Sequence, residues 1–333
     1  PKLDTLTFQA DLGSMLDKIK RLEKLTPVTA AMLGLSAEET TFAARAAALS
    51  KADLASNMVV EMTSLQGIMG GHYARLAKEP EAVAEAIAEQ YQAVSATRPG
   101  LALALADRLD SLVGLFAAGL APKGSNDPFA LRRAAIQIIE NLVGNQVSFD
   151  LRQALGSAAD MLPITAGEET IEQVLTFVNN RLENYLVEKG KRTSVVRAIL
   201  AEQRHDPYLA DRATAELSEL VKKPEWPTLL DAYARCARIS RDQPSYELHP
   251  ESLKLDEEKQ LLAAIEQGQA GLDGTMTAFV TALGDAEPAI TRFFDNVLVM
   301  DEDETVRQNR VALVQRIVAL ADGLADLSFL EGF

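Results

Sequence analysis

Apolar side chains return along this chain every three or four residues, the period of a helix that buries one face. Leu12, Leu16, Ile19 and Leu22, with charges between them, predict an amphipathic helix over Leu3–Leu25. Ser36 followed by Glu39 has the form of a capping box and predicts a second helix that starts there and runs toward Val60. Val83, Ile87 and Tyr91 predict a surface helix over Glu81–Tyr91, with Glu85 and Glu89 outside. Leu101–Ala118 is apolar almost all round, which predicts a helix enclosed by others. Its Asp107, Arg108 and Asp110 then need partners, Arg108 most simply a carboxylate.

Gly67, Gly70 and Gly71 interrupt the apolar pattern. No strand precedes them and no Lys-Ser or Lys-Thr follows, so a kink or a close helix contact is expected rather than a phosphate-cradling loop. The best-marked helix start lies in Gly119–Leu142. Asn126 or Asp127 can cap it, and Pro128 is its expected first residue, where a fixed φ is suitable and the missing N–H costs nothing. Phe129, Ala130 and Leu131 open it with apolar side chains. Arg132 and Arg133 follow, about 100° apart around the axis. Cations near a helix N-terminus oppose its dipole, so this pair needs a partner, either an acidic group on a neighbouring helix or an RNA phosphate.

Further helices are predicted over Leu151–Leu162, Thr170–Glu188 (Ile171, Val174, Leu175, Val178, Leu182 and Tyr185 on one face), Val195–Gln203 and Ala210–Lys222. Lys223–Pro227 reads as a hinge. The last set is Leu253–Gly268, Gly274–Leu283, Pro288–Val299 and Thr305–Leu327. A domain junction is expected between Gly144 and Glu169.

Composition agrees with an all-α protein: 333 residues, 47% hydrophobic but only 5% aromatic, with alanine in nearly every apolar run. The length allows two or more domains. One cysteine, Cys236, excludes an internal disulfide framework and fits a reducing cytosol. No cationic leader opens the chain and no stretch approaches ~20 uncharged apolar residues, so a soluble protein without membrane contact is expected. The net charge is −15, with 14 Lys/Arg and 17 Asp/Glu up to Asp150 and a net of −12 beyond it. Indiscriminate binding to DNA or RNA is therefore disfavoured, and any RNA contact in the second part must come from local basic clusters. Arg235, Arg238 and Arg241 form one such cluster, spaced by three on one helical face and suited to phosphates. Arg307, Arg310 and Arg316 form another, unless the acidic run Asp301–Glu304 pairs with them.

Signatures of catalysis are missing: there is no HExxH, paired CxxC, GxSxG or Walker-type lysine. His72, His205 and His249 are the only histidines.

The string KGSNDPFALRRAAI, Lys123–Ile136, closely resembles a signature of the β subunit of bacterial heterotetrameric glycyl-tRNA synthetase. LQGIMGGHYA (Leu65–Ala74), ADRLDSLVG (Ala106–Gly114) and FFDNVLVM (Phe293–Met300) resemble other stretches of that family in the same order. The likeness spans the chain but only the C-terminal half of that subunit. It implies a degenerate HD-like helical domain over 1–150, a helical linker and start of the C-terminal domain over 151–228, and a DALR-like anticodon-binding bundle over 229–333. HD phosphohydrolases use a His-Asp doublet; the corresponding Leu49-Ser50-Lys51-Ala52-Asp53-Leu54 lacks the histidine. Asp107 looks like the distal aspartate of that fold and Asp53 like a remnant of the doublet, while Lys51 would oppose a cation there. In the C-terminal part, Arg238 matches the arginine of a family NKRVSNI stretch, whereas Ala237 and Arg241 depart from it, and Asn309-Arg310 matches a family NR pair.

The resemblance implies a tRNA-binding portion of the β subunit, with no catalytic residue and no metal of its own. The tRNA-contact candidates are Lys123, Arg132, Arg133, Arg235, Arg238, Arg241, Arg307 and Arg310. The expected partners are glycine tRNA and the α subunit, which would bind ATP and magnesium; no cofactor is expected in this chain, and the setting is cytoplasmic. Two other readings compete, a helical interaction scaffold without RNA contact and an HD-type phosphohydrolase.

Overall fold

A computed structural model describes residues 2–333. The described residues are all-α apart from a small antiparallel hairpin, β1 (Thr7–Gln9) with β2 (Gly13–Ser14), and short 3-10 turns. The chain divides into two compact units. One runs to Tyr185 and takes in His205–Tyr208; the other comprises Leu186–Arg204 and Leu209–Phe333.

In the first unit α1 (Met15–Met32) starts later than its apolar spacing suggests, because Ser14 and Asp17 form a capping box and Leu12, fully buried, precedes the helix in the hairpin. The second helix, α2 (Ala37–Leu49), has the expected box between Ser36 and Glu39 but ends well before Val60. A 3-10 turn over Ala52–Ala55 and the short α3 (Asn57–Glu61) replace its predicted continuation. Next come α4 (Ile68–Leu76) and α5 (Glu81–Glu89), which pack together closely. A Cβ on Gly71 would lie 2.8 Å from the Ala84 carbonyl oxygen, and one on Gly70 2.7 Å from the Ile87 side chain. The glycines are there for helix contact.

The unit is built around α6 (Arg98–Ala117), capped by Thr97 and buried along nearly its whole length. It packs against α1, α2, α5, α7 (Leu131–Gly144) and α8 (Leu151–Ala159), which explains its lack of a polar face. Residues beyond Asp150 belong with this core, and the first unit therefore runs past the expected junction at 144–169. Phe177 of α9 (Glu168–Glu188) meets Phe116 edge to face with centroids 5.2 Å apart. Asp206 is 2% exposed and accepts hydrogen bonds from the Ser148 hydroxyl and the Phe149 N–H, which ties His205–Tyr208 to this unit.

The second unit contains α10 (Thr193–Gln203), most of α11 (Pro207–Leu220), and a bundle of α12 (Trp226–Ser240), α13 (Asp256–Gly271), α14 (Met276–Asn296) and α15 (Glu304–Val318). Two helices predicted at Gly274–Leu283 and Pro288–Val299 are one helix, α14, with Pro288 inside it. Tyr233, Phe279, Phe293, Leu261, Ile265, Val314 and Ile317 fill the bundle core. The C-terminal segment is fastened to α10 by hydrogen bonds from the Asp326 N–H to the Ala198 carbonyl and from Gln203 to the Leu324 carbonyl.

The start of α7 differs from the Asp-Pro expectation in one respect. Asp127 does cap it, accepting from the N–H groups of Leu131 and Arg132 at 2.9 Å each. The helix opens at Leu131 rather than Pro128, because Ala130 sits in the left-handed region at φ 54° and breaks the helical path after Asp127-Pro128-Phe129. Replacing Asp127 with alanine leaves two helix-terminal donors without their acceptor. We expect a loss of about 1 kcal/mol in denaturant unfolding, and an unchanged midpoint would show that the cap contributes nothing.

Candidate nucleic-acid interface

The candidates of the first unit are Lys123, on the turn before α7, and Arg132 and Arg133, in the first turn of that helix. The backbones of Lys123 and Asn126 bond each other reciprocally at 3.2 and 2.9 Å, which makes a tight turn with the Lys123 side chain exposed. Arg132 folds back onto that turn, donating to the Gly124 carbonyl at 2.5 Å and lying 3.8 Å from Asp127. Its partner is thus its own loop, not a neighbouring helix. Arg133 is exposed and has no ion pair or hydrogen bond among the described residues. The sequence treated the two arginines alike, but only one of them is left over for a ligand.

In the second unit the arginine face of α12 is partly engaged. Arg235 stands over Phe294, 4.7 Å from the ring centroid, and 3.9 Å from Asp295. Arg238 donates to the Ala234 carbonyl and approaches Asp231 at 3.4 Å, remaining exposed. Arg241, just past the last turn, is exposed and unpaired among the described residues. It borders a cavity of about 410 Å³ with Gln315, Asp322 and Asp326. Arg307 donates to the Asp301 carbonyl at 3.1 Å. Arg310 differs from the others: it is 9% exposed, with Nε on Glu258 at 2.7 Å and Nη1 on both Asp301 and the Leu298 carbonyl. This arginine braces α13 and the 298–301 loop against α15, and its donors face inward. A phosphate outside the bundle has no access to them, so Arg310 leaves the list of contact residues. Burial opposes ionisation of Glu258, yet the Arg310 bond and two backbone N–H groups hold its carboxyl below the usual range.

The place expected for a degenerate metal site is filled by charges of the chain itself. Lys51 Nζ lies 2.8 Å from Asp107 Oδ2 and bonds the Tyr91 hydroxyl at 2.7 Å and the Gln90 side-chain oxygen at 3.0 Å. Lys18 Nζ sits 3.1 Å from the other Asp107 oxygen and 2.9 Å from Asp110, which also receives Arg21 at 2.6 Å. Burial alone would raise the Asp107 pKa, but Lys18 and Lys51 hold it well below the carboxylate range. Its contribution to stability is complete above the ordinary carboxylate pKa and is lost as pH falls below it, because the unfolded chain takes up its proton first. Arg108 does not pair with a carboxylate as expected. It donates to the carbonyls of Gln90, Gln92 and Ala104 and to Gln137. Asp53 has one oxygen bonded by the Gly67 and Gly70 N–H groups at 2.7 and 3.2 Å, so it acts as a brace for the glycine turn. Among the described residues no three His, Cys, Asp or Glu side chains converge as metal ligands.

Residues 1–201 match the model of the glycyl-tRNA synthetase beta subunit, and residues 229–328 match the DALR anticodon binding domain. The chain belongs to the glycyl-tRNA synthetase beta subunit family. It is 38% identical to the glycine–tRNA ligase beta subunit of Desulforudis audaxviator over 344 residues, 98% of this chain and 50% of that protein. The corresponding Myxococcus xanthus subunit is 38% identical over 353 residues, 99% of this chain and again 50% of the relative. A chloroplastic/mitochondrial glycine–tRNA ligase of Arabidopsis thaliana is 36% identical over 345 residues, 100% of this chain and 32% of that protein. The chain thus spans about half the length of the bacterial relatives it matches.

In this family member the DALR stretch takes in α12 from residue 229 on, α13–α15 and every candidate arginine of the second unit. No helix is long and apolar enough to cross a membrane among the described residues. Sequence reasoning missed Lys18 and Arg21, whose charges read as the outer face of an amphipathic helix. It also missed Phe177 and Arg181 of α9. The available signal was an aromatic four residues before an arginine, both off the apolar stripe of that helix.

The two kinds of arginine should separate in stability measurements. Arg310→Ala leaves Glu258 buried without its counter-ion and should cost about 3 kcal/mol, whereas exposed Arg238→Ala should stay within about 0.5 kcal/mol. Equal losses would contradict the division. In the first unit, Lys51→Ala should cost about 3–5 kcal/mol by removing one of two cations on Asp107; a wild-type denaturation midpoint would show that the network does not hold α2 to α6.

Proposed function

We propose that this chain is a tRNA-binding portion of a glycyl-tRNA synthetase, with glycine tRNA as ligand. ATP and magnesium chemistry would reside on a separate α subunit in the cytoplasm. The observation that carries the reading is the family match along the chain, combined with cations left free on an acidic protein: Lys123 and Arg133 in a family signature on one unit, and Arg241, where the family stretch has asparagine, on the other. Because the net charge is −15, the average field repels a polyanion, and an exposed arginine without an acidic partner is where a phosphate can be held. The first unit is then an HD-like scaffold whose cation site is occupied by the Lys51 ammonium, which disfavours the phosphohydrolase reading. The second unit takes the anticodon arm, with Arg238 and Arg241 on its phosphates.

Equilibrium binding of glycine tRNA, and of a variant with a swapped anticodon, over a range of salt concentrations tests this. Wild-type protein should prefer the native anticodon. Arg241→Ala should weaken both tRNAs alike and lower the salt slope by about 1, as loss of one phosphate contact requires. Indifference to the anticodon, together with unchanged binding by Arg238→Ala and Arg241→Ala, would remove the anticodon role from the second unit.

A further inference from the structure

The first unit carries a groove of about 530 Å³ between the 119–122 turn and one side of α9, within the size range of small-ligand sites. Phe116, Ala121, Pro122 and Phe177 give it flat apolar surface, and Gln173, Thr176 and Asn180 of α9 place amides and a hydroxyl along its edge. Beside it stands Arg181, half-buried, its guanidinium 3.5 Å from the centroid of the Phe177 ring and one nitrogen donating to the Phe177 carbonyl. It has no carboxylate partner among the described residues. Burial lowers its pKa, and the neighbouring Arg132 charge lowers it further, with Asp127 the one opposing influence. Asp127 is already committed to the N-terminus of α7. Arg181 is therefore left without a carboxylate of its own, next to a groove of aromatic and proline surface. The opposite end of the groove is acidic, with Glu169 and Glu172; Arg152 pairs with Glu172. This polarity sends an anion toward Arg181.

We infer that the groove receives one unpaired nucleotide of an RNA strand, its base against Phe177, Phe116 and Pro122 and its phosphate at Arg181. Aromatic side chains stack any base and guanidinium groups hold the adjoining phosphate, the combination by which single strands are bound without sequence readout. A double helix cannot use it, because its bases are stacked within the duplex. The inference deepens the tRNA-binding reading and rests on it for the identity of the natural strand.

The test uses the full chain and three probes: a single-stranded RNA octamer with 2-aminopurine at its centre, a blunt RNA duplex of the same length, and glycine tRNA. The octamer should bind with a change in 2-aminopurine fluorescence that reports stacking. Phe177→Leu, which keeps the apolar volume but removes the ring, and Arg181→Gln, which keeps a polar side chain without charge, should each weaken octamer binding about tenfold, within the range measured for one stacked base. Duplex binding should be unchanged by Phe177→Leu. Thermal unfolding checks that each variant is folded; should Phe177→Leu be unfolded, Arg181→Gln and the fluorescence change decide the matter. Wild-type protein that does not bind the octamer, or binds it without the fluorescence change, overturns the groove, as do folded variants that bind it undiminished. If glycine tRNA alone fails to bind while the octamer behaves as described, the groove stands and the tRNA reading falls.

Discussion

Two rows of buried charge, one turn apart on each of two helices, impose the arrangement of the first unit. Lys18 and Arg21 are three residues apart on α1, and Asp107 and Asp110 are three apart on α6, so each row presents two side chains on one face at matching height. Each ion costs several kcal/mol to remove from water, and the opposing row offsets most of that cost. A one-residue rotation of α1 would turn its cations through about 100°, stripping Asp110 of both its counter-ions and leaving Asp107 with Lys51 alone. Lys51 adds a third cation from the end of α2 and brings Gln90 and Tyr91 with it. The charges thus select one registry among the several that smooth apolar helices would accept.

From that fixed α6, order passes outward to the candidate surface. Arg108 points away from the charge rows, fastens the backbone after α5 and bonds Gln137 of α7. Asn141, fully buried on the same helix, takes the Ser95 N–H and gives to the Ala93 carbonyl. The orientation of α7 is therefore set from inside, and its capped start holds the 119–130 turn beside α9. A ligand-binding edge of this sort gains its precision from the helices behind it rather than from the turn itself.

The same economy explains how an acidic protein presents positive charge. Five of its 33 Lys and Arg side chains are buried and consumed internally: Lys18, Arg21 and Lys51 in the first core, Arg108 on carbonyls, Arg310 between Glu258 and Asp301. The others lie outward but are outnumbered by the 48 Asp and Glu, which favours contact at a few defined phosphates over broad attraction to any polyanion.

The helical class, most helix positions, the Ser36–Glu39 box, a cap at Asn126 or Asp127 and a kink or close contact at the 67–71 glycines were all legible in the residues, because each depends on spacing within one element or on a steric rule for one residue type. The family, too, was legible in strings such as Lys123–Ile136. Tertiary structure alone decided the rest. Whether α14 is one helix or two depended on whether its neighbours could support Pro288 in the interior, and the start of α7 on a left-handed Ala130 that no local pattern demands. Which arginines are free depended on the carboxylates other helices bring: Arg132 and Arg133 are adjacent in sequence, yet one is tied to Gly124 and the other is open; Arg310 looks like Arg238 in sequence and lies in the core. A charge at helical spacing reads the same whether it meets water, a buried aspartate or a ligand. The partner across the interface makes the difference, and it lies far away along the chain.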